Sequence, residues 1–245
     1  MQPPRRLVLW NIDLTLVDVG RVTRAAYADA FRRVTGRPLV QLPQTAGSIE
    51  SEVFFEAVEL NTHGSDPGDG TGDALLARFM DELATAFAAR RGQLAKQGRL
   101  LPGALAAVTA VGQLPGLVQT VLTGSIAPNA IEKLRAFGLD EHLDTEIGGY
   151  GSDVYPKGAM LLNARGRAAE KYAADFTEDA TVYIADSPRD MEAARVGGAR
   201  GMAVATGRSS AGELRDAGAY LILPDLADTA AVVEAVEELT VAFLP

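Results

Sequence analysis

The segment at residues 7–15, LVLWNIDLT, begins with four apolar residues and then turns polar. A short, continuous apolar run of this kind predicts a strand that is buried on both faces, as in a parallel sheet. Asn11 and Asp13 directly follow the run, and because side chains along a strand alternate, both face one side while Ile12 points back to the core. In open α/β sheets ligands bind at this carboxyl edge, so the two polar residues form a candidate site.

Apolar runs of the same kind recur along the chain and alternate with stretches of helical spacing. This alternation predicts an α/β fold with a doubly wound, mostly parallel sheet of the Rossmann type. A further short strand is predicted near residues 145–147, which gives five or six strands in all. The recurring runs are LVQTVLT at 117–123, TVYIA at 181–185, GMAVA at 201–205 and YLIL at 220–223.

The segment at 19–101 departs from this alternation because it has helical spacing and no convincing strand. Apolar residues step by three or four at 22–34 and again at 76–87, as on the buried face of a helix. We therefore predict an all-helical insertion at 19–101. The α/β core is then formed by residues 1–18 together with residues 102–245.

Composition narrows the classes of partner and of chemistry. There are 23 Lys plus Arg against 32 Asp plus Glu, a formal charge of −9, which disfavours nucleic acid and anionic membranes as partners. The absence of Cys excludes disulfides, thiolate nucleophiles and Cys-based metal centres. His63 and His142 have no ligand spacing, and His63 lies in a Gly- and Asp-rich stretch at 61–73 that is predicted to be a solvated loop. No segment resembles a signal peptide or a membrane span, which predicts a cytoplasmic protein.

Polar residues with an affinity for anions follow the second run. Thr123 ends that run and is followed by Gly124 and Ser125, which offer a hydroxyl and backbone N–H groups near a helix start. Such a turn suits a phosphate group. Lys157 follows Pro156 at the start of a later helix, where its ammonium group would neutralise the same anion; the alternative for Lys157 is an ordinary solvated side chain.

Two carboxylates follow the run at 181–185. Asp186 and Asp190 are four residues apart, and Pro188 between them suits the first position of a helix. Carboxylates at a strand end are the hard oxygen ligands that Mg²⁺ prefers. The alternative is that Asp186 and Asp190 only cap the following helix and place a favourable negative charge near its N-terminus.

The order of these motifs resembles the haloacid dehalogenase superfamily. Its phosphatases carry Asp-x-Asp-x-Thr, a strand-ending Thr or Ser, a Lys, and an acidic pair such as Gly-Asp-x-Pro-x-Asp. The resemblance covers nearly the whole chain, and the helical insertion at 19–101 looks like the type-1 helical cap of that superfamily. It implies a phosphatase-like enzyme acting on a small phosphorylated metabolite. From the charge we expect no nucleic-acid or membrane partner, and the sequence leaves open whether the chain is a monomer or a homodimer.

The resemblance also implies roles for individual residues. Asp13 would be the general acid and base, and Thr123, Gly124 and Lys157 would hold the phosphoryl group. The implied cofactor is Mg²⁺. Its site would comprise Asn11, Asp13, Asp186 and Asp190.

The chain departs from the family pattern at the first motif position, where Asn11 replaces the aspartate nucleophile. A carboxamide oxygen is neutral and a poor nucleophile, so the route through an aspartyl phosphate is disabled, and the metal site loses one negative charge. Leu14 stands in place of the usual Gly. Leu does not easily adopt positive φ, although the position need not demand it, so the change concerns packing and access more than chemistry.

Three hypotheses follow from Asn11. The chain is a phosphatase-type enzyme made inactive and ligand-trapping by its nucleophile position; it is a non-hydrolytic relative that binds a phosphorylated ligand or partner; or Asp13 acts as acid or base without a covalent intermediate. The sequence therefore leaves open whether the chain is an active enzyme. In each case the cap would select the ligand, with Tyr27, Phe31 and residues 44–55 as the candidates for specificity.

Overall fold

The structure is a computed structural model, and it describes residues 6–62, 72–153 and 156–240. Residues 63–71 of the predicted loop at 61–73, including His63, lie outside these ranges, whereas its described ends at 61–62 and 72–73 are helical rather than loop. The described strands are β1 Arg6–Trp10, β2 Val17–Asp18, β3 Arg99–Leu100, β4 Leu117–Thr123, β5 Gly149–Tyr150, β6 Thr181–Ala185, β7 Arg200–Val204 and β8 Leu221–Leu223.

Ten α-helices accompany these strands in the described ranges. None of them combines the length and the hydropathy needed to cross a bilayer. Their bounds are α1 Gly20–Thr35, α2 Glu50–Thr62, α3 Gly72–Ala88, α4 Arg91–Gln97, α5 Ala104–Val111, α6 Ala127–Ala136, α7 Lys157–Tyr172, α8 Pro188–Gly197, α9 Ala211–Asp216 and α10 Thr229–Leu239.

Six strands form one parallel sheet in the order β5-β4-β1-β6-β7-β8. The predicted α/β fold with a doubly wound parallel sheet is therefore confirmed. Strand β1 lies between β4 and β6, so the strand order reverses beside it. At such a switch point the loops after neighbouring strands diverge and leave a crevice at the carboxyl edge.

Both faces of β1 are buried, as the unbroken apolar run predicts. Val8 and Trp10 pack in one hydrophobic cluster with residues of α5 and α10, and Leu7 and Leu9 pack in the other cluster with residues of α7 and α8. Trp10 also donates its indole N–H to the side-chain oxygen of Gln119, at 3.1 Å. Helices on both sides thus fix the sheet, and with it the positions of the residues at its carboxyl edge.

The chain between β2 and β3 contains helices α1 to α4. Its ends are joined because Val17 and Asp18 pair antiparallel with Leu100 and Arg99. This two-residue pairing was not predicted, because two residues are too few for a strand periodicity to be visible. The division into a core and a cap remains a prediction.

The prediction of a short strand near residues 145–147 is wrong. Thr145–Ile147 forms one turn of 3₁₀ helix, and the edge strand begins only at Gly149. The Asp144 side chain accepts a hydrogen bond from the backbone N–H of Glu146, which is the kind of local bond that favours a turn over a strand.

Leu14 has φ of 60°, so this position does require positive φ, which the sequence left open. The turn holds it there, because the Leu14 N–H donates to the Val17 carbonyl at 2.8 Å and its carbonyl accepts from the Thr206 hydroxyl at 2.6 Å. A left-handed conformation costs a non-glycine residue roughly 1–2 kcal/mol.

We expect Leu14→Gly to be about 1 kcal/mol more stable than Leu14→Ala, because only Gly relieves the strain at this φ. Urea denaturation of the two variants measures the difference in the free energy of unfolding. Alanine is the matched control because it removes the same side chain and keeps a Cβ atom. Equal stability of the two variants would contradict the assignment of strain to Leu14.

Candidate active site

A cavity of about 580 Å³ opens at the carboxyl edge of the sheet, between the ends of β1 and β4 and the helical segment that follows β2. Its size is within the range of about 300–1,000 Å³ that is typical of small-molecule pockets. Five of the residues predicted for the site line it together, namely Asn11, Asp13, Thr123, Gly124 and Lys157. Asp186 and Asp190 follow β6 beside them and are almost completely buried.

The Asn11 side chain is buried and saturated by hydrogen bonds. Its amide nitrogen lies 3.0 Å from the Asp13 carbonyl oxygen, 3.0 Å from Asp186 Oδ1 and 3.2 Å from Thr15 Oγ1. Because two of these acceptors are a carbonyl and a carboxylate, only the NH₂ end of the amide satisfies them. Asn11 therefore acts as a hydrogen-bond donor toward Asp186, a role that an ionised Asp at this position could not fill.

Asp186 is poorly solvated. Burial, and after it the charge of Asp190, raises the pKa of Asp186 to about 7, against hydrogen bonds from Thr15 and Asn11 that lower it. The Thr15 hydroxyl donates to Asp186 Oδ1 at 2.8 Å. Gly207 passes so close to the carboxylate that a Cβ at this position would lie 2.2 Å from Asp186 Oδ2, so any larger residue there would displace the loop.

The oxygens in this arrangement do not fit Mg²⁺. The Asn11 NH₂ group points at Asp186 Oδ1 and at the Asp13 carbonyl oxygen. A cation bound between these residues would need the same two oxygens as ligands. Rotating the Asn11 amide would instead place its oxygen against these oxygens. The carboxylates of Asp13 and Asp190 are both paired with lysines. Across the described residues, no group of three or more His, Cys, Asp or Glu side chains is arranged to hold a metal ion.

Asp190 is fully buried and engaged on both carboxylate oxygens. Lys157 Nζ lies 2.5 Å from Oδ1, which the Tyr183 hydroxyl also contacts at 2.8 Å, and the Ser187 hydroxyl donates to Oδ2 at 2.5 Å. Burial raises the pKa of Tyr183 well above its ordinary range, which keeps this phenol a neutral donor. Asp190, predicted as a metal ligand, is thus placed to hold Lys157 at the cavity wall.

Lys133 is a site residue that the sequence analysis missed. It lies on α6 and lines the cavity, and its side chain is only 3% exposed. Its Nζ donates to Asp13 Oδ2 at 2.5 Å and to the Ser125 hydroxyl at 2.8 Å. The signal was present in the sequence, because Lys133 falls beside Leu134 on the apolar stripe of the helix, where a charge needs a partner.

The loop before α2 is docked on the turn after β4. The Glu50 N–H donates to the Gly124 carbonyl at 3.1 Å, and a Cβ on Gly124 would lie 1.9 Å from the Ser48 carbonyl oxygen. On the other side, Arg189 donates to the Ser48 hydroxyl at 2.8 Å. Glycine at 124 is therefore required for this close approach.

The residues predicted for specificity are only partly at the cavity. Tyr27 lines it, and so do several residues of the 44–55 segment, whereas Phe31 is buried in the hydrophobic core. Phe31 follows Tyr27 by one helical turn on the same face of α1, and the sequence could not show where along that face the cavity ends.

Glu50 lies at the cavity wall and is strongly desolvated. Burial raises the pKa of Glu50 to about 8, against a lowering by Lys133. An acid whose folded pKa exceeds its unfolded value of 4.5 holds a proton that the unfolded chain releases, so its contribution to stability falls as pH rises from about 4.5 to about 8.

We expect Glu50→Gln to remove this dependence. The slope of the free energy of unfolding against pH should become less negative by up to about 1.4 kcal/mol per pH unit across that interval. Urea denaturation at pH 5, 6, 7 and 8 measures it. Glu56→Gln, at an exposed position on the same helix, is the matched control and should leave the slope as it is. A Glu50→Gln slope equal to that of the unsubstituted chain would contradict the prediction.

The chain is similar to known proteins in sequence and in fold. The sequence model described as haloacid dehalogenase-like hydrolase matches residues 8–195, and no curated protein matches the chain by sequence. A hydrolase from Pseudomonas syringae is 22% identical with a TM-score of 0.66, over 95% of this chain and 99% of that one.

Two further solved structures share the fold. A predicted phosphatase from Clostridium acetobutylicum is 18% identical with a TM-score of 0.67, over 96% of this chain and 99% of that one. CbbY from Rhodobacter sphaeroides, in complex with phosphate, is 18% identical with a TM-score of 0.64, over 94% and 99%. The family match covers well over half of the residues of this chain. The chain therefore belongs to the haloacid dehalogenase-like hydrolase family.

Proposed function

We propose that the chain is a phosphatase-type member of this family that holds a small phosphorylated molecule in the cavity, and that Asn11 prevents the covalent step of hydrolysis. The observation that carries the proposal is that Thr123, Gly124 and Lys157 line the same cavity as Asn11 and Asp13. A hydroxyl, a tight backbone turn and an ammonium group are the donors that a phosphoryl group needs.

The phosphoryl group would lie between the turn after β4 and Lys157. Thr123 and Ser125 line the cavity there, and Lys157 is held in place by Asp190, at 2.5 Å. The CbbY structure, which shares the fold, is a complex with phosphate, and this is in line with a phosphate-binding role for the fold. Residues 19–101 would act as the cap, because the loop at 44–50 covers the turn and helps to exclude water.

Asn11 would face the phosphorus without attacking it. Its carboxamide is neutral and its NH₂ group is directed at Asp186, so neither end supplies the electron pair that a carboxylate would supply. The Asp13 carboxylate, which Lys133 and Ser125 contact, would remain next to the ester oxygen. Because no covalent intermediate forms, Asp13 would have none to hydrolyse. Family members of the phosphatase type generally use Mg²⁺, but the donors around Asn11 do not fit this ion.

Calorimetric titration of the full chain with glycerol 3-phosphate tests the proposal. We expect binding without release of phosphate, and we expect Thr123→Val to weaken binding about tenfold, because a hydrogen bond to a charged group contributes about 1.5 kcal/mol or more. Thr120→Val is the matched control, since Thr120 lies on the same strand but bonds to the Asp144 carbonyl away from the cavity. Absence of binding, or equal weakening by both variants, would contradict the proposed function.

A further inference from the structure

We propose that the ligand is a phosphomonoester that carries a second anionic group, and that Arg24 and Arg208 at the cavity mouth recognise this second group. The inference rests on the proposed function and goes beyond it by naming the class of ligand. It is carried by the charges along the cavity wall, by one unpartnered buried hydroxyl, and by the size of the cavity.

Four cationic side chains line the cavity, and two of them are already paired. Lys133 contacts Asp13 at 2.5 Å, and Lys157 contacts the buried Asp190 at the same distance. These two pairs lie deep in the site, where the phosphoryl group is proposed to bind. Their charges are largely balanced within the protein, so they do not select for an additional anion.

Arg24 and Arg208 are the remaining cations of the wall, and no carboxylate contacts either of them in the part of the chain that the structure describes. Arg24 donates only to the Val40 carbonyl, at 3.5 Å, and Arg208 has no hydrogen-bond or ion-pair partner among the described residues. Both are exposed and both line the cavity, which places them at its mouth. Two guanidinium groups without a carboxylate partner at a pocket opening attract an anion and suit a carboxylate or a phosphate.

The acidic residues of the wall do not cancel these two charges. Besides Asp13, they are Asp18 and Glu50. Asp18 is paired with Arg99 at 3.1 Å, and burial raises the pKa of Glu50 to about 8, so Glu50 is mostly neutral at pH 7. On a chain with a formal charge of −9, the mouth is therefore a locally cationic region.

A polar group at the wall also lacks a partner. Thr23 Oγ1 is the one buried side-chain oxygen or nitrogen of the described residues that has no hydrogen bond. Thr23 precedes Arg24 on α1 and lines the same cavity. Buried polar groups are normally satisfied, so an unsatisfied hydroxyl on a residue that lines the cavity favours a polar ligand at this wall.

The cavity also has room for more than a phosphate group. Its volume of about 580 Å³ fits a small molecule that reaches from the turn after β4 to the mouth. A ligand with an anion at each end would engage Lys157 at one end and Arg24 with Arg208 at the other. Its polar middle would then lie within reach of the wall that contains Thr23.

Titration of the full chain with two matched compounds tests this inference. 3-Phosphoglycerate and glycerol 3-phosphate differ chiefly in one carboxylate, and both equilibrate without turnover if Asn11 blocks hydrolysis. We expect 3-phosphoglycerate to bind about fivefold more tightly or better. Arg24→Gln and Arg208→Gln should each reduce that preference about threefold, and the double variant should abolish it while leaving glycerol 3-phosphate binding within twofold.

Arg21→Gln and Arg215→Gln are the matched controls, because both arginines are exposed and neither lines the cavity. They should leave the preference unchanged. If both compounds bind equally to the unsubstituted chain, or if the arginine variants weaken both compounds alike, the second-anion inference is overturned while the proposed function stands. If neither compound binds, both the proposed function and this inference fail.

Discussion

Asn11→Asp is expected to release phosphate from small phosphomonoesters in the presence of Mg²⁺ at least about a thousandfold faster than the unsubstituted chain. The estimate is conservative, because removal of an enzyme's nucleophile alone has cost about 10⁶ in rate. The substitution replaces a neutral carboxamide with a carboxylate that attacks phosphorus as an anion. The other candidate residues at the cavity, Asp13, Thr123 and Lys157, are already in the chain.

The same substitution should change how the fold responds to Mg²⁺. Asn11 Nδ2 lies 3.0 Å from Asp186 Oδ1, so an Asp at position 11 places two buried carboxylates in contact. Without a cation they repel, and we expect the melting temperature of Asn11→Asp to fall below that of the unsubstituted chain. With Mg²⁺ the two carboxylates and the Asp13 carbonyl offer a hard oxygen site, so Mg²⁺ should raise the melting temperature of the variant much more than that of the unsubstituted chain.

Two controls separate the role of position 11 from a general effect of charge. Asn163→Asp makes the same chemical change at an exposed position of α7 and should remain inactive. Asn11→Asp combined with Asp13→Asn should lose most of the gained rate, because the acid and base would be missing. Equal turnover by the unsubstituted chain would mean that Asp13 acts without a covalent intermediate. A folded, phosphate-binding Asn11→Asp chain without turnover would contradict a nucleophile at position 11.

The largest expected effect on stability is that of Asp190→Ala, at about 3–5 kcal/mol. The substitution leaves the Lys157 ammonium, only 8% exposed, without a counter-charge, and an unpaired buried charge is strongly destabilising. It also removes the acceptor of the Ser187 hydroxyl and one of the two acceptors near the Tyr183 hydroxyl. A loss of this size is a large share of the roughly 5–15 kcal/mol that stabilises a typical native protein.

Urea denaturation measures this loss, and Glu192→Ala is its matched control. Glu192 lies on the same helix and pairs with Arg195, but both side chains of that pair are more than half exposed, so its loss should cost less than about 1 kcal/mol. The double variant Lys157→Met with Asp190→Leu should recover much of the stability, because it removes both charges together. Equal costs for Asp190→Ala and Glu192→Ala would contradict the interpretation of Asp190 as the residue that holds Lys157.

The main lines of the fold were predictable from the sequence because burial on both faces leaves a local pattern. The apolar runs at Leu7 and at Thr181 predict strands that the structure confirms in the central parallel sheet. Local patterns fail where an element is too short to have a period, as in the β2–β3 pairing and the edge strand after Thr145. They also fail where tertiary contacts hold a residue against its own preference, as at Leu14.

By itself, the sequence determined which chemical groups follow each strand, and therefore that an amide stands at position 11 where the family pattern has a carboxylate. Only the tertiary structure decided what those groups do to one another. It pairs Asp190 with Lys157 and Asp13 with Lys133, and it directs the Asn11 amide at Asp186. The physical reason is that these pairings join residues that lie from about 30 to more than 170 positions apart. Such contacts depend on how strands and helices are stacked, and no spacing along the chain encodes them.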